Sequence, residues 1–125
     1  MILGIGTDLV DITRMSDNIA AHGDKMAEKI LTSAEFSDYQ ATSAKAQFLA
    51  SRFAAKEACA KALGTGFRDG LSLKHIEVSR DPLGRPLIAF YDRALDLKNT
   101  LNIIRTHLSL SHEHHMAMAV VILEA

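Results

Sequence analysis

The chain is poor in the residues that mark several classes of protein. Its 125 residues include one cysteine, two prolines and seven glycines, and no tryptophan. The single Cys59 excludes an internal disulfide framework and a zinc cluster built on cysteines, and a free thiol fits a reducing cytoplasm. So little proline and glycine excludes a collagen-like or disordered chain. The sequence therefore predicts a cytoplasmic protein in which residues 1–125 form a single domain.

The chain also lacks an excess of charge and a long apolar run. Fourteen Lys and Arg residues against fifteen Asp and Glu residues give a formal net charge of -1. That balance argues against a protein that coats nucleic acid by bulk charge. No stretch approaches the roughly 18–20 apolar residues of a membrane-spanning helix. We therefore expect neither nucleic acid nor a membrane as a partner.

The first half of the chain carries the pattern of one strand followed by helices. Residues 1–10 are mostly apolar and predict a buried strand. Thr13 is placed to cap a helix that ends at Gly23, and the spacing of Thr32 and Glu35 is that of a capping box at the start of another.

Residues 43–63 predict the clearest element, a long helix rich in good helix formers that ends before Gly64. Its expected buried stripe consists of Phe48, Leu49, Phe53, Ala60 and Leu63.

The second half has the alternation of strands. Residues 73–80 and 86–91 flank the turn sequence Asp81-Pro82-Leu83-Gly84 and predict a hairpin. Residues 92–102 predict a helix, and residues 104–111 and 116–124 predict two more strands. Together these elements indicate an α+β fold, a mainly antiparallel sheet packed with a long central helix.

Two carboxylates and one lysine stand out as candidates for chemistry. Asp8 lies within an apolar strand, where an unpartnered charge is costly, although it could also be a cap or turn acid at the strand end. Glu57 and Lys61 are four residues apart, which is also the spacing of a solvated ion pair on a helix surface. If Asp8 and Glu57 meet, two carboxylates suit Mg²⁺ together with substrate phosphates. Phosphate oxygens would then accept hydrogen bonds from Lys61 and from the backbone N–H groups of Gly64, Thr65 and Gly66.

Histidines crowd between the last two predicted strands. A zinc site needs three or four ligands at suitable spacing. Besides His112, His114 and His115 the chain offers only one thiol, Cys59, and it has no H-E-x-x-H motif. A single phosphate contact, or an exposed turn, fits this run better than a zinc site. No G-x-S-x-G or Walker motif is present.

Four segments of the chain form a recognisable series. They are Gly6-Thr7-Asp8-Leu9-Val10 with Arg14, residues 52–66, the hairpin of residues 76–78 with Asp81 and Gly84-Arg85-Pro86, and residues 108–113. The second segment contains F-x-x-K-E-A-x-x-K, the most specific of these motifs. These segments resemble the phosphopantetheinyl transferases, and their order and spacing resemble the small bacterial type.

The resemblance implies an activity and an assembly. Such enzymes transfer 4′-phosphopantetheine from coenzyme A (CoA) to a serine hydroxyl of apo-acyl carrier protein, and they release adenosine 3′,5′-bisphosphate. They use Mg²⁺, and the small members form homotrimers with active sites between subunits. The longer members have a further acid two residues after the motif aspartate, where this chain has Val10, so a two-carboxylate site is expected.

The resemblance also assigns residues by position. Asp8 and Glu57 become the Mg²⁺ ligands and, with Lys61, the catalytic residues. Arg14 would face the acidic helix of the carrier protein, and Arg85 and Pro86 would reach the site from a neighbouring subunit. The residues implied to contact CoA are Arg52, Lys56, Lys61, Gly64, Thr65, Gly66, Arg85, Pro86 and His112.

A non-catalytic module that binds a nucleotide or an acidic protein is the competing hypothesis. Metal-dependent binding of CoA discriminates the two, because the transferase requires it and a docking module does not.

Overall fold

A computed structural model describes all residues, 1–125, as five strands and five helices. The strands are β1 (Ile2–Asp11), β2 (Ile76–Arg80), β3 (Pro86–Phe90), β4 (Arg105–His112) and β5 (Met116–Glu124). The helices are α1 (Ile12–His22), α2 (Lys25–Ile30), α3 (Ser33–Ala41), α4 (Lys45–Ala62) and α5 (Asp92–Thr100). None of the helices has the length and apolar character needed to cross a membrane.

The strands form two antiparallel sheets. β5 lies in the centre of a three-stranded sheet between β1 and β4, and β2 pairs with β3 in a separate hairpin. The N–H of Gly84 donates to the carbonyl of Asp81 at 2.9 Å, which closes the predicted hairpin turn. The α+β class, the antiparallel pairing and the long helix are confirmed.

Helix α4 packs against β1 at unusually short range because two glycines of the strand face it. A Cβ atom on Gly4 would lie 1.9 Å from the carbonyl oxygen of Ala62, and one on Gly6 would lie 1.8 Å from that of Ala58. Only glycine leaves room for this approach. The last turns of α4 are thereby held beside the middle of β1.

The burial of α4 differs from the predicted apolar stripe. Leu49 is buried, but Phe48 and Phe53 are only half-buried, and most buried positions of the helix are alanines. The reason is that α4 contacts the three-stranded sheet, α1 and the β2 strand at once, so that it is covered nearly all round. Small side chains permit this close packing on several sides.

Three local predictions have a definite outcome. The capping box of Thr32 and Glu35 is confirmed, with both side-chain hydrogen bonds formed. The predicted cap Thr13 is wrong, because β1 runs directly into α1 and Asp11 accepts from the N–H of Arg14 at 3.1 Å. The predicted strand at residues 73–80 begins later, since Leu73–His75 form a 3-10 turn before β2.

Candidate active site

A cleft of about 400 Å³ opens where β1, α1 and α4 meet. Asp8 of β1 and Glu57 of α4 both line it, and Arg14 of α1 lines the same cleft. The sequence analysis did not assign its remaining lining, which is largely apolar. These residues are Leu9, Val10, Asp11, Met15, Asn18, Met26 and Phe53.

Lys61 forms an ion pair with Asp8. Its Nζ lies 3.0 Å from Oδ1 of Asp8, and it also donates to the carbonyl of Thr7 at 3.0 Å. The i,i+4 pair with Glu57 that the spacing suggested is replaced by this pair between α4 and β1. Asp8 is therefore neither a cap nor a turn acid, because the cap of α1 is Asp11.

The pKa of the Glu57 carboxyl depends on its burial and on two charged neighbours. Burial raises the pKa of the Glu57 carboxyl, the charge of Asp8 raises it further, and Lys61 opposes both. The two carboxylates therefore repel each other, which is the electrostatic setting that a bound cation relieves. No cluster of three or more His, Cys, Asp or Glu side chains is arranged to hold a metal.

Lys56 lies in the interior, which corrects its predicted contact with CoA. Its side chain is fully buried, and Nζ donates to Oε1 of Glu35 at 2.6 Å and to the carbonyls of Ile30 and Leu73 at 2.7 and 3.0 Å. All three ammonium protons are thus used. Burial lowers the pKa of Lys56, and Glu35 opposes that shift. No donor remains for a phosphate, so Lys56 joins α4 to α2 and α3.

Arg52 and His112 line a different cavity, of about 640 Å³, on the other side of α4. The Arg52 guanidinium lies over the Phe48 ring, 4.3 Å from its centroid, and its buried Nε has no hydrogen-bond partner. Burial lowers the pKa of Arg52, and the charge of Arg80 lowers it further. This cavity shares no lining residue with the cleft of Asp8 and Glu57.

Arg80 and Gln47 are among the residues of this second cavity that the sequence analysis did not assign to a site. Arg80 ends β2 next to the hairpin turn, and nothing in its spacing marks it. Gln47 makes a 2.9 Å hydrogen bond with His112, a contact 65 residues apart in sequence that no local motif could reveal.

The remaining predicted residues lie on two turns or at the start of β3. Gly64 and Gly66 both have positive φ, 83° and 63°, and open space where a side chain would stand. Their N–H groups, however, already donate to the carbonyls of Lys61 and Ala60, at 3.0 and 3.2 Å. Arg85 is exposed on the hairpin, and its N–H donates to Oδ1 of Asp81 at 2.8 Å. Thr65 lies between the glycines, and Pro86 begins β3. Neither Arg85 nor Pro86 lines the cleft of Asp8.

Comparison with known proteins gives one consistent answer. The family model described as the 4′-phosphopantetheinyl transferase superfamily matches residues 4–119. A curated holo-[acyl-carrier-protein] synthase of Hamiltonella defensa is 51% identical over 123 residues, covering 98% of each chain. The chain belongs to the 4′-phosphopantetheinyl transferase superfamily.

Solved structures of this superfamily have the same fold. The crystal structure of holo-[acyl-carrier-protein] synthase from Neisseria meningitidis matches with a TM-score of 0.91 and 40% identity, covering 100% of both chains. A synthase from Bacillus anthracis, solved in complex with CoA (3′,5′-ADP), matches with a TM-score of 0.83 and 37% identity, covering 100% of this chain and 98% of that one. The enzyme class predicted from the motifs, a phosphopantetheinyl transferase, is confirmed.

Proposed function

We propose that this transferase moves 4′-phosphopantetheine from CoA to a serine of apo-acyl carrier protein, with Mg²⁺, and releases adenosine 3′,5′-bisphosphate. The observation that carries the proposal is the meeting of Asp8 and Glu57 in one cleft, with Lys61 paired to Asp8, at the motif positions of the superfamily. The names of the relatives support the carrier protein as acceptor, and the CoA complex of the Bacillus anthracis synthase supports CoA as donor.

The donor set fits Mg²⁺. This ion commonly binds one or two carboxylates and completes its shell with waters and substrate phosphates, so the pair Asp8 and Glu57 suffices. When bound, Mg²⁺ would neutralise the diphosphate of CoA and orient it. The mutual repulsion of the two acids favours a cation between them.

The chain's own residues would handle the proton and the leaving group. The serine oxygen attacks the β-phosphorus of CoA, the bond between that phosphorus and the bridging oxygen breaks, and adenosine 3′,5′-bisphosphate leaves. Glu57 accepts the serine proton, and burial favours its protonated form. Lys61 stabilises the negative charge that develops on the departing phosphate.

The separation of the two cavities supports a site shared between copies of the chain. Arg52 and His112, which we propose contact phosphates of CoA, line a cavity with no residue in common with the cleft of Asp8 and Glu57. One CoA molecule would touch both sets if the second cavity of one subunit faced the cleft of another. Arg85, on the exposed hairpin, would join the site in the same way.

The outward face of the three-stranded sheet supports association. Ile5 and Leu9 of β1 are 60% and 62% exposed, and Met116 and Met118 of β5 are 38% and 40% exposed. Register places Leu9 opposite Met118, so these side chains form one patch on the same face. A contiguous apolar patch of this kind marks an interaction surface. We propose a homotrimer, as the family resemblance implies, with this face between subunits.

Arg14 supports the direction from which the carrier protein arrives. It is exposed on α1 and lines the cleft of Asp8 and Glu57. An acidic carrier helix placed over Arg14 would bring its serine to the carboxylates, with the charge attraction guiding the encounter.

The intact mass of apo-acyl carrier protein after incubation with the protein, CoA and Mg²⁺ tests the reaction. We expect a gain of one phosphopantetheine, which EDTA and Asp8→Ala abolish and which Asp96→Ala, an exposed acid of α5, leaves intact. No gain with several carriers would contradict the transfer. CoA titration then separates the alternatives, since metal-dependent binding is required of the transferase and not of a docking module.

A further inference from the structure

The predicted metal site contains a lysine whose two contacts both come from one strand. Nζ of Lys61 donates to the carbonyl of Thr7 and to Oδ1 of Asp8, each at 3.0 Å. The carboxylate that the proposed function assigns to Mg²⁺ is therefore occupied by an ammonium group of the same chain. A cation that approaches Asp8 must displace Lys61 or share the carboxylate with it.

The two partners differ in their freedom to move. The Asp8 side chain is 17% exposed and held in β1, whereas the Lys61 side chain is 53% exposed at the end of α4. An ion pair with one end so exposed contributes at most about 1 kcal/mol, so its release costs little. Lys61 can leave Asp8 by rotating its own side chain while the strand stays fixed.

The charges in the cleft explain why Lys61 would leave Asp8. Asp8 and Glu57 contribute two negative charges to the cleft, and Lys61 neutralises one of them. A divalent cation neutralises both, so the lysine charge becomes surplus there. A diphosphate that enters with the cation supplies new negative charge within reach of the same flexible side chain.

We propose that Lys61 is an exchangeable counter-ion: it occupies Asp8 while the site holds no metal, and it passes to the substrate diphosphate when a divalent cation binds. The inference rests on the proposed function, because it takes Asp8 as a metal ligand. Its consequence is that the cation and the diphosphate strengthen each other's binding, by an amount that depends on Lys61.

Equilibrium binding of Mn²⁺, followed by the electron paramagnetic resonance signal of the free ion, tests the exchange without turnover. Without CoA, we expect Lys61→Met to bind Mn²⁺ about threefold to fivefold more tightly than the unmodified protein, the range set by an exposed ion pair. With CoA, the gain in Mn²⁺ affinity should be smaller in Lys61→Met than in the unmodified protein. Lys61→Arg, which keeps the charge, should behave like the unmodified protein.

Two controls separate the exchange from other effects. Lys25→Met removes an exposed lysine of α2 and should leave Mn²⁺ affinity unchanged, which excludes a general effect of net charge. Equal Mn²⁺ affinity of Lys61→Met and the unmodified protein, with binding lost in Asp8→Ala, would overturn the exchange alone. Mn²⁺ binding that is absent with and without CoA, or indifferent to Asp8→Ala, would overturn the proposed metal site and the exchange with it.

Discussion

Gly6 of β1 faces the backbone of Ala58 so closely that a Cβ atom on the glycine would fall 1.8 Å from the alanine carbonyl oxygen. Gly4 has the same relationship with Ala62, one turn further along α4. These two contacts set the distance between the strand that carries Asp8 and the helix that carries Glu57. Gly4 and Gly6 thus contribute to the site because they have no side chain between β1 and α4.

Gly6→Ala should lower both stability and turnover. A methyl group at this position forces α4 away from β1, and overpacking of this kind typically costs about 1–3 kcal/mol. We expect a loss near 2 kcal/mol in urea unfolding, with a fall in kcat because Glu57 moves relative to Asp8. Ser37→Ala, at an exposed position of α3, should change neither quantity appreciably. A Gly6→Ala protein as stable and active as its parent would show that the strand and helix tolerate a wider spacing.

Glu57→Gln should abolish most turnover, because the variant has neither a proton acceptor nor an anionic metal ligand at this position. The carrier-protein mass assay, run over a range of Mg²⁺ concentrations, measures the effect. Recovery of turnover by added Mg²⁺ alone would contradict the role of Glu57 as the base and leave it as a metal ligand.

The same variant should be more stable than its parent in EDTA at neutral pH. Burial and the charge of Asp8 raise the pKa of Glu57 above its ordinary value, so the folded state binds this proton more tightly than the unfolded state. The ionised carboxylate therefore destabilises the fold, fully above the folded pKa and not at all below the unfolded pKa. The advantage of Glu57→Gln should disappear as pH falls through that window. Thermal unfolding of both proteins at a series of pH values measures this advantage. Equal stability of the two at neutral pH, or a less stable Glu57→Gln, would refute the prediction.

The elements with strong local patterns were predictable from the sequence. The capping box at Thr32, the turn at Asp81 and the end of the long helix at Gly64 each depend on a few adjacent residues. The start of α1 could not be predicted from the sequence. Asp11 and Thr13 are both acceptable N-caps, and the direct junction of α1 with β1 decides between them.

The motifs correctly predicted which residues meet in a cleft for Asp8 and Glu57. They did not predict that the fold buries the neighbouring motif residue Lys56. Asp8 and Glu57 line one cleft, as their resemblance to the family motifs implied. The adjacent motif residue Lys56 points into the interior instead, toward Glu35, which lies 21 residues earlier in the chain. Position in a motif carries no information about which face of a helix is covered, so long-range packing decided the role of Lys56.

Lys56→Met should destabilise the fold strongly and should not act through CoA. Removing one partner of a buried ion pair leaves the other charge uncompensated, which costs about 3–5 kcal/mol. Replacing both partners, in Lys56→Met with Glu35→Leu, should recover part of that loss in urea unfolding. The folded double variant should retain the parental KM for CoA, whereas Arg52→Ala should raise it. A raised KM in the double variant at parental stability would restore Lys56 as a CoA contact.

Ile5→Asp should dissociate the assembly and reduce activity without unfolding the subunit. Ile5 is 60% exposed on the outward sheet face, so a carboxylate there costs little in an isolated chain but is buried without a partner between copies. Leu95→Asp, on the exposed side of α5, offers a matched change of an exposed leucine outside that face. Light scattering should show trimers for the parent and for Leu95→Asp, and smaller species for Ile5→Asp. Because the proposed site takes residues from two copies, parental activity per subunit should fall on dilution through the dissociation range. Strictly constant activity per subunit across dissociation, or full activity in a monomeric Ile5→Asp, would show that each chain carries a complete site.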